Sequence, residues 1–502
     1  MKINKLIVAL FCIILIQNLT AQNNTRSPYS IRNIGELEQF GSAFTRALSG
    51  SANGIRSTRF ISFANPASVS ALAQVSFEFG FHGDYGRYAT KTAAKTYNNG
   101  NFSYFSLGFP LLRKEIIKKD TSRKNLNEKK NSIIKSYKTF WASAIGLSPY
   151  SNIGASYFKT TDTTYGQTTN FYSYSGGLNR FFLMNGVNLN KNFSLGLNSS
   201  FIFGQIKNEK AYYVNDSNVS RATSNLSIYN FTGFKFDFGF QGVSNDTFTI
   251  KDSVRRCLDT ALINNFKVPI YKNVYRERKN TLRFTYGATV NNNAALNYKL
   301  TRSAINISNL FSNSSIDTLI NQSNVKSKTY LPSGFSAGIS LVLNNKYMLA
   351  FDYKSDFLSN QKRPLFNDVF INSAHYIFGF AYRPDLEPEQ MKTRQIANKS
   401  KRFKANLEYR FGCRFLNTGY NYKDNMDNIS SLKEYGFSFG IGIPKLSRTF
   451  DPQIPYLKSM INLTGEYIHR GTTNNGLIAE DIFKLTIGII LDDNWFVKRK
   501  FN

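Results

Sequence analysis

A period of two runs through most of this chain, and it leaves few folds open. Phe234, Phe236, Phe238 and Phe240 alternate with Lys235 and Asp237, and Tyr435, Phe437, Phe439, Ile441 and Ile443 alternate with Gly436, Ser438, Gly440 and Gly442. The same spacing recurs at Val75, Phe77, Phe79, Phe81 and at Phe483, Leu485, Ile487, Ile489, Leu491. Successive side chains of a β-strand point to opposite faces, so each such run is a strand with one apolar face. A helix would need apolar residues at i+3 and i+7 as well as i+4, and there these runs carry polar or small residues, as in Asp237 and Gln241 after Phe234.

The second face separates a soluble β-protein from a membrane one. A soluble sandwich turns its apolar face inward and covers the outer one with Thr, Lys and Glu. Here the second face is small or charged: the Gly436 to Gly442 series, Asp352 with Lys354, and Glu408 with Arg410. Small residues and opposed charges suit the polar lumen of a barrel, while rows of Phe and Tyr suit lipid and its interfacial girdles. The expected fold class is therefore all-β, a transmembrane antiparallel barrel of about 14 strands. Asp352, Lys354, Glu408 and Arg410 are the expected lumen charges. In the last strand, Ile487 should face lipid and Lys484 the lumen, so Lys484→Leu should be mild beside Ile487→Lys.

An even strand count leaves both ends of the wall on one side, the periplasmic one, where tight links such as Asn190-Lys191-Asn192 and Asn344-Asn345-Lys346 also fall. Before the wall, residues 22–71 do not alternate and are rich in small and polar residues. A barrel of this size is too wide for its own side chains to close, so this stretch is expected to plug the lumen, with Asn65, Pro66 and Ala67 forming the turn at the base of strand one. The barrel domain follows over 72–502, interrupted by insertions near 114–138 and 242–280.

Lys2 and Lys5 precede and flank the apolar run 6–16, and Ala21 ends a short polar stretch, which reads as a signal peptide over 1–21. The run is too short to cross a bilayer as a helix. The expected location is the outer membrane, with outer-membrane lipid as the surrounding partner. Three Cys and three His make a disulfide scaffold or a metal site a poor fit, and no metal or cofactor is expected. Cys257 and Cys413 are expected as free thiols.

Asn65-Pro66-Ala67 ahead of about fourteen strands resembles the FadL/TodX family of outer-membrane channels for long-chain fatty acids and hydrocarbons. Gly146-Leu147-Ser148-Pro149-Tyr150-Ser151-Asn152, Leu331-Pro332-Ser333, Tyr382-Arg383-Pro384-Asp385 and Trp495-Phe496-Val497-Lys498-Arg499-Lys500 are similar to its Bacteroidota variety. Pro149 has no N–H to give a ladder, so it breaks strand three on physical grounds alone. The resemblance implies that this break, Pro149 to Asn152, is a lateral exit toward the bilayer, and that the protein takes up a hydrophobic small molecule passively. The bland reading is a bulge that adjusts curvature. The two insertions depart from the family pattern and keep open a second role, as a non-transporting subunit or partner of an outer-membrane secretion or assembly complex.

Gly334-Phe335-Ser336-Ala337-Gly338 matches the nucleophile-elbow spacing, but it lies in an alternating strand with no helix behind it, so no enzyme is expected. The chain carries 63 Lys plus Arg against 32 Asp plus Glu. The excess gathers in 114–138 and in Lys392, Arg394, Lys399, Lys401, Arg402 and Lys404. The partners this suggests are an anionic cell-wall polymer, lipopolysaccharide or an acidic protein. Nucleic acid is not expected outside the cytoplasm.

Overall fold

The computed structural model describes residues 25, 27–119, 133–163, 166–216, 219–263, 266–307, 315–359, 369–384, 407–423, 429–448, 456–474 and 477–493. The expected signal peptide, the Lys392 to Lys404 cluster, Asp385, the Trp495 to Lys500 stretch and the middle of the 114–138 insertion lie outside them.

Alternation produces fourteen antiparallel wall strands that close into a barrel. In chain order they are β1 (Val75–Ala89), β2 (Ala94–Lys119), β3 (Ile133–Thr163), β4 (Gly166–Asn188), β5 (Phe193–Asp216) and β6 (Val219–Ile263). Then come β7 (Phe266–Asn291 continued by Ala295–Ile307), β8 (Ser315–Tyr330 continued by Gly334–Leu343) and β9 (Tyr347–Asp356). The wall is completed by β10 (Val369–Phe370 continued by Ala374–Tyr382), β11 (Glu408–Lys423), β12 (Ile429–Arg448), β13 (Tyr456–Arg470) and β14 (Ala479–Asp493). Closure comes from β14 on β1, registered from Ala479↔Ala89 to Asp493↔Val75. Because β14 pairs back onto β1 the sheet has no free first or last strand, and the wall amides find partners within it as a span through lipid requires, except along the part of β3 beyond Leu147. No helix among the described residues is long and apolar enough to cross a membrane.

The two faces sort as the period dictates. Phe437 and Leu485 are exposed at 60% and 57%, while Ser438 and Thr486 on the opposite face are buried. Ile487→Lys is expected to cost about 2–4 kcal/mol if the site lies near the midplane, measured by urea unfolding in detergent or lipid. The expectation that Lys484→Leu is mild is overturned. The Lys484 ammonium sits inside, 3.7 Å from Glu38 and 3.8 Å from Asp84, so its removal takes a cation from two half-buried carboxylates, of which Glu38 keeps Arg46, and is expected to be costly as well.

The two insertions are not irregular loops where they are described. Residues 242–280 continue β6 and β7 as one long hairpin that pairs out to Ile263↔Phe266, and 114–119 pair with 133–138 in the same way. Leu331-Pro332-Ser333 interrupts β8 rather than opening it, and the break is held by Leu331 N–H donating to the Ala294 carbonyl at 2.8 Å. On the side where β1 ends and β14 begins, β3 to β8 continue as a six-stranded sheet: β3–β4 pair to Thr163↔Gly166, and β6–β7 to Ala222↔Ile307.

Residues 27–72 fold against the inner face of the wall. They contain a short helix (Ala43–Arg46), two 3-10 turns (Pro28–Ile31 and Pro66–Ala71) and a two-residue strand, Glu36–Leu37. Their contacts reach most of the wall. Ser49 N–H donates to Ser438 on β12 (2.9 Å), Thr464 on β13 donates to the Ala43 carbonyl (2.8 Å), and Ile61 N–H donates to Glu78 on β1 (2.7 Å).

Candidate functional site

The Asn65-Pro66-Ala67 turn has a built seat. Pro66 opens a 3-10 turn with its φ already set and no N–H to satisfy, and Asn65 caps it by accepting from Ala67 N–H at 3.0 Å. The other end of the same amide donates to the Phe240 carbonyl on β6 (2.9 Å) and to the Asn53 carbonyl (3.2 Å). Beneath the turn, Gly186, Gly196 and Gly239 are ladder partners on one line across β4, β5 and β6. A Cβ on Gly196 would meet Pro66 and Ala67, and one on Gly239 would meet Asn65 and Pro66. The bare backbone of the wall is what lets the turn approach.

The expected lumen charges all point inward. Asp352 is buried and its carboxylate accepts from Ala52 N–H (2.6 Å) and Asn53 N–H (2.8 Å). Lys354 pairs with Asp356 at 3.1 Å. Arg410 donates to Glu408 (2.8 Å) and Asn462 (2.7 Å) with its guanidinium carbon 4.1 Å from the Phe44 ring centroid. Sequence reasoning missed the larger part of the network. Arg470 binds Glu434 (2.8 Å), Glu480 (3.4 Å) and Glu36 of the N-terminal segment (2.6 Å). Arg414 binds Glu434 (3.0 Å) and Glu466 (3.3 Å). The available signal was the repeated placing of Glu and Arg on the small-residue face of β11 to β14.

The inner face is not polar throughout, as the alternation suggested. Beside β3 to β8 it carries a buried cluster of Ile153, Leu178, Ile202, Ile206, Phe231, Leu296 and Tyr298, closed from the segment side by Ile34.

Next to that cluster the wall is open. Pairing of β2 with β3 runs from Lys119↔Ile133 to Phe105↔Leu147 and stops. Farther along, β2 pairs with β1 alone, and β3 pairs with β4 but, among the described residues, with no other wall strand. Pro149 and Tyr150 sit at the start of this opening, where the register against β4 slips between Pro149↔Asn179 and Ser151↔Leu178. The N-terminal segment occupies part of the edge. Glu36 and Leu37 pair with Asn152 and Ser151, Glu38 N–H donates to the Tyr150 carbonyl (3.0 Å), and Ser151 donates to the Ile34 carbonyl (2.6 Å). Asn152 also donates to Glu38 at 3.2 Å. Gly176, opposite Ile153, takes a φ of +112°, a conformation that residues with a Cβ resist.

Ser336 lies in mid-strand on β8, bonded to Thr289 and Asn53, not on a strand-to-helix turn. His82 is buried between Glu38 and Asp84, and His469 pairs with Asp481 at 2.8 Å. Cys413 is a free thiol.

These features define a closed transmembrane β-barrel of the outer-membrane type with residues 27–72 bonded to the inner face of its wall. The BamG family pattern matches residues 2–117 and 119–502, and the chain belongs to that family. No curated protein matches it. Among solved structures it is similar to the P. putida toluene transporter TodX, at 12% identity and a TM-score of 0.49 over 91% of this chain and 100% of that one. It is also similar to a Pseudomonas aeruginosa FadL homologue (10% identity, 91% and 99% coverage, TM-score 0.48) and to the CymD monoaromatic hydrocarbon channel (11%, 91% and 99%, 0.43). The FadL/TodX likeness expected from the sequence is thus present among the solved structures.

Proposed function

We propose that this protein is a passive outer-membrane channel for a hydrophobic small molecule, which rests against the apolar inner cluster and leaves sideways between β2 and β3. The observation that carries the reading is the juxtaposition of that cluster with the unpaired stretch of wall and with a segment strand lying on the exposed edge. A hydrophobic cargo gains by passing from apolar lumen to lipid without crossing water. In this reading residues 22–71 are the plug, and its Glu36–Leu37 strand is the part that moves.

Deleting residues 30–60 is expected to convert a non-conducting barrel into one that passes ions in planar bilayers. Pro149→Thr, which returns an N–H to the edge, is expected to slow uptake of a fluorescent hydrophobic probe while the barrel still assembles. Unchanged uptake by an assembled Pro149→Thr barrel would remove the lateral exit.

The second reading, a barrel subunit of an assembly or secretion complex, draws on one specific observation. The segment is tied to the wall by buried ion pairs on several strands, Arg470 with Glu36 and Lys484 with Glu38 among them, which favours a fixed filling over a moving one. Absence of probe uptake together with a non-conducting full-length barrel would favour it.

A further inference from the structure

The β6–β7 hairpin goes on long after the wall has ended. The last wall neighbours of its arms are Phe193, opposite Gly242, and Leu343, opposite Leu282. From Thr249↔Lys279 to Ile263↔Phe266 each arm has, among the described residues, only the other arm as ladder partner. At roughly 3.3 Å per residue the ribbon reaches about 50 Å beyond the barrel. It leaves from the end at which β1 begins and β14 finishes, the same end as the shorter β2–β3 ribbon. A two-stranded ribbon standing alone in water is marginally stable, so one of this length calls for something to lie against it.

Its sequence divides in two. The stem, 246–256 with 272–281, holds seven basic and three acidic residues. The register sets Lys251 opposite Glu277 and Asp252 opposite Arg276, but also Arg256 opposite Lys272, a like-charge pair that an external carboxylate would relieve. The tip, 257–271, has one Asp and one Lys among Leu258, Leu262, Ile263, Phe266, Val268 and Ile270. An apolar centre within a charged surround is the anatomy of a protein–protein contact.

We propose that this ribbon is a docking arm for a protein that presents an apolar cleft rimmed by carboxylates on the side of the membrane where β1 begins and β14 finishes. A polyanionic glycan offers nothing to the apolar tip. A bilayer offers nothing to the backbone groups along the ribbon edges, which a partner strand can pair.

The test uses the full-length protein in its native membrane, with a photo-crosslinking residue at Leu262 and, as control, at the lipid-facing Leu485. Barrel assembly is checked by heat-modifiability in detergent. The expected result is one protein adduct at Leu262, absent at 485, whose crosslinked peptide maps to an apolar cleft flanked by Asp or Glu. Its yield should fall at least about tenfold in Ile263→Asp/Phe266→Asp. It should fall also in Arg255→Glu/Arg256→Glu, and in the purified pair as salt rises from about 50 to about 500 mM. Three results overturn the proposal: no protein adduct at Leu262, an adduct insensitive to both variants, or ribbon-dependent binding only to purified peptidoglycan sacculi or to phosphatidylglycerol vesicles.

Discussion

Arg470→Met is expected to lower the stability of the barrel by about 3–5 kcal/mol, the usual cost of breaking a buried ion pair from one side. Arg470 is buried at the centre of three carboxylates, Glu36, Glu434 and Glu480, and the substitution leaves all three inside without it. Arg414 still faces Glu434, so part of the charge is met, but it already serves Glu466. Because Glu36 belongs to the N-terminal segment, the variant should also loosen the segment from β13. The expected signature is a lower urea midpoint together with faster protease cleavage between residues 30 and 60. Arg470→Lys keeps the charge but not the planar fork, and should fall between the two. A wild-type midpoint for Arg470→Met would mean that the network is wetter than its geometry indicates.

Gly239→Leu is expected to be the most disruptive small change on the inner wall. The position faces Asn65 and Pro66 so closely that even a Cβ collides with them. The atoms it would meet are the Asn65 amide oxygen, fixed by its cap, and the rigid Pro66 ring, which leave little room to yield, and overpacking of this kind typically costs about 1–3 kcal/mol. The Asn65 amide would lose its bond to the Phe240 carbonyl at the same time, a further cost of about 1–3 kcal/mol for a buried group left unpaired. Gly465→Leu is the control. It changes a glycine by the same amount where an added Cβ meets nothing within 4 Å, so it should be nearly silent. The measurement is thermal unfolding of the purified barrels, with segment release read by proteolysis. Equal behaviour of the two variants would show that the turn does not sit against β6.

How much of this was legible in the residues follows from the range of each interaction. The faces of β12 and β14 could be read because alternation is local: Phe437 and Gly436 are neighbours, and their contrast survives any tertiary context. The Asn65-Pro66-Ala67 turn could be read because its cap closes over two residues. The Arg470 network could not, since Glu36 and Glu434 lie far from Arg470 in the chain and meet it only after the barrel has closed. Lys484 was placed on the correct face, yet its importance was misjudged for the same reason, because Glu38 arrives from the N-terminal segment. The opening between β2 and β3 was legible at one point, Pro149. Its extent was not, because a missing ladder leaves no mark on the residues that lack it. The β6–β7 ribbon read as an insertion because its mixture of charged and apolar residues does not alternate cleanly across 246–281.

The account turns on whether the Glu36–Leu37 strand must leave the edge of β3 for cargo to pass. Leu37 and Ser151 are cross-strand partners, close enough across an antiparallel ladder for a disulfide. The decisive measurement is uptake of a fluorescent hydrophobic probe into vesicles containing Leu37→Cys/Ser151→Cys in a background with Cys257 and Cys413 replaced by Ser, oxidised and then reduced. The account predicts that uptake is lost on oxidation and returns on reduction, with each single-cysteine variant active throughout. Equal uptake in the two states, with the crosslink shown to be complete, would contradict it.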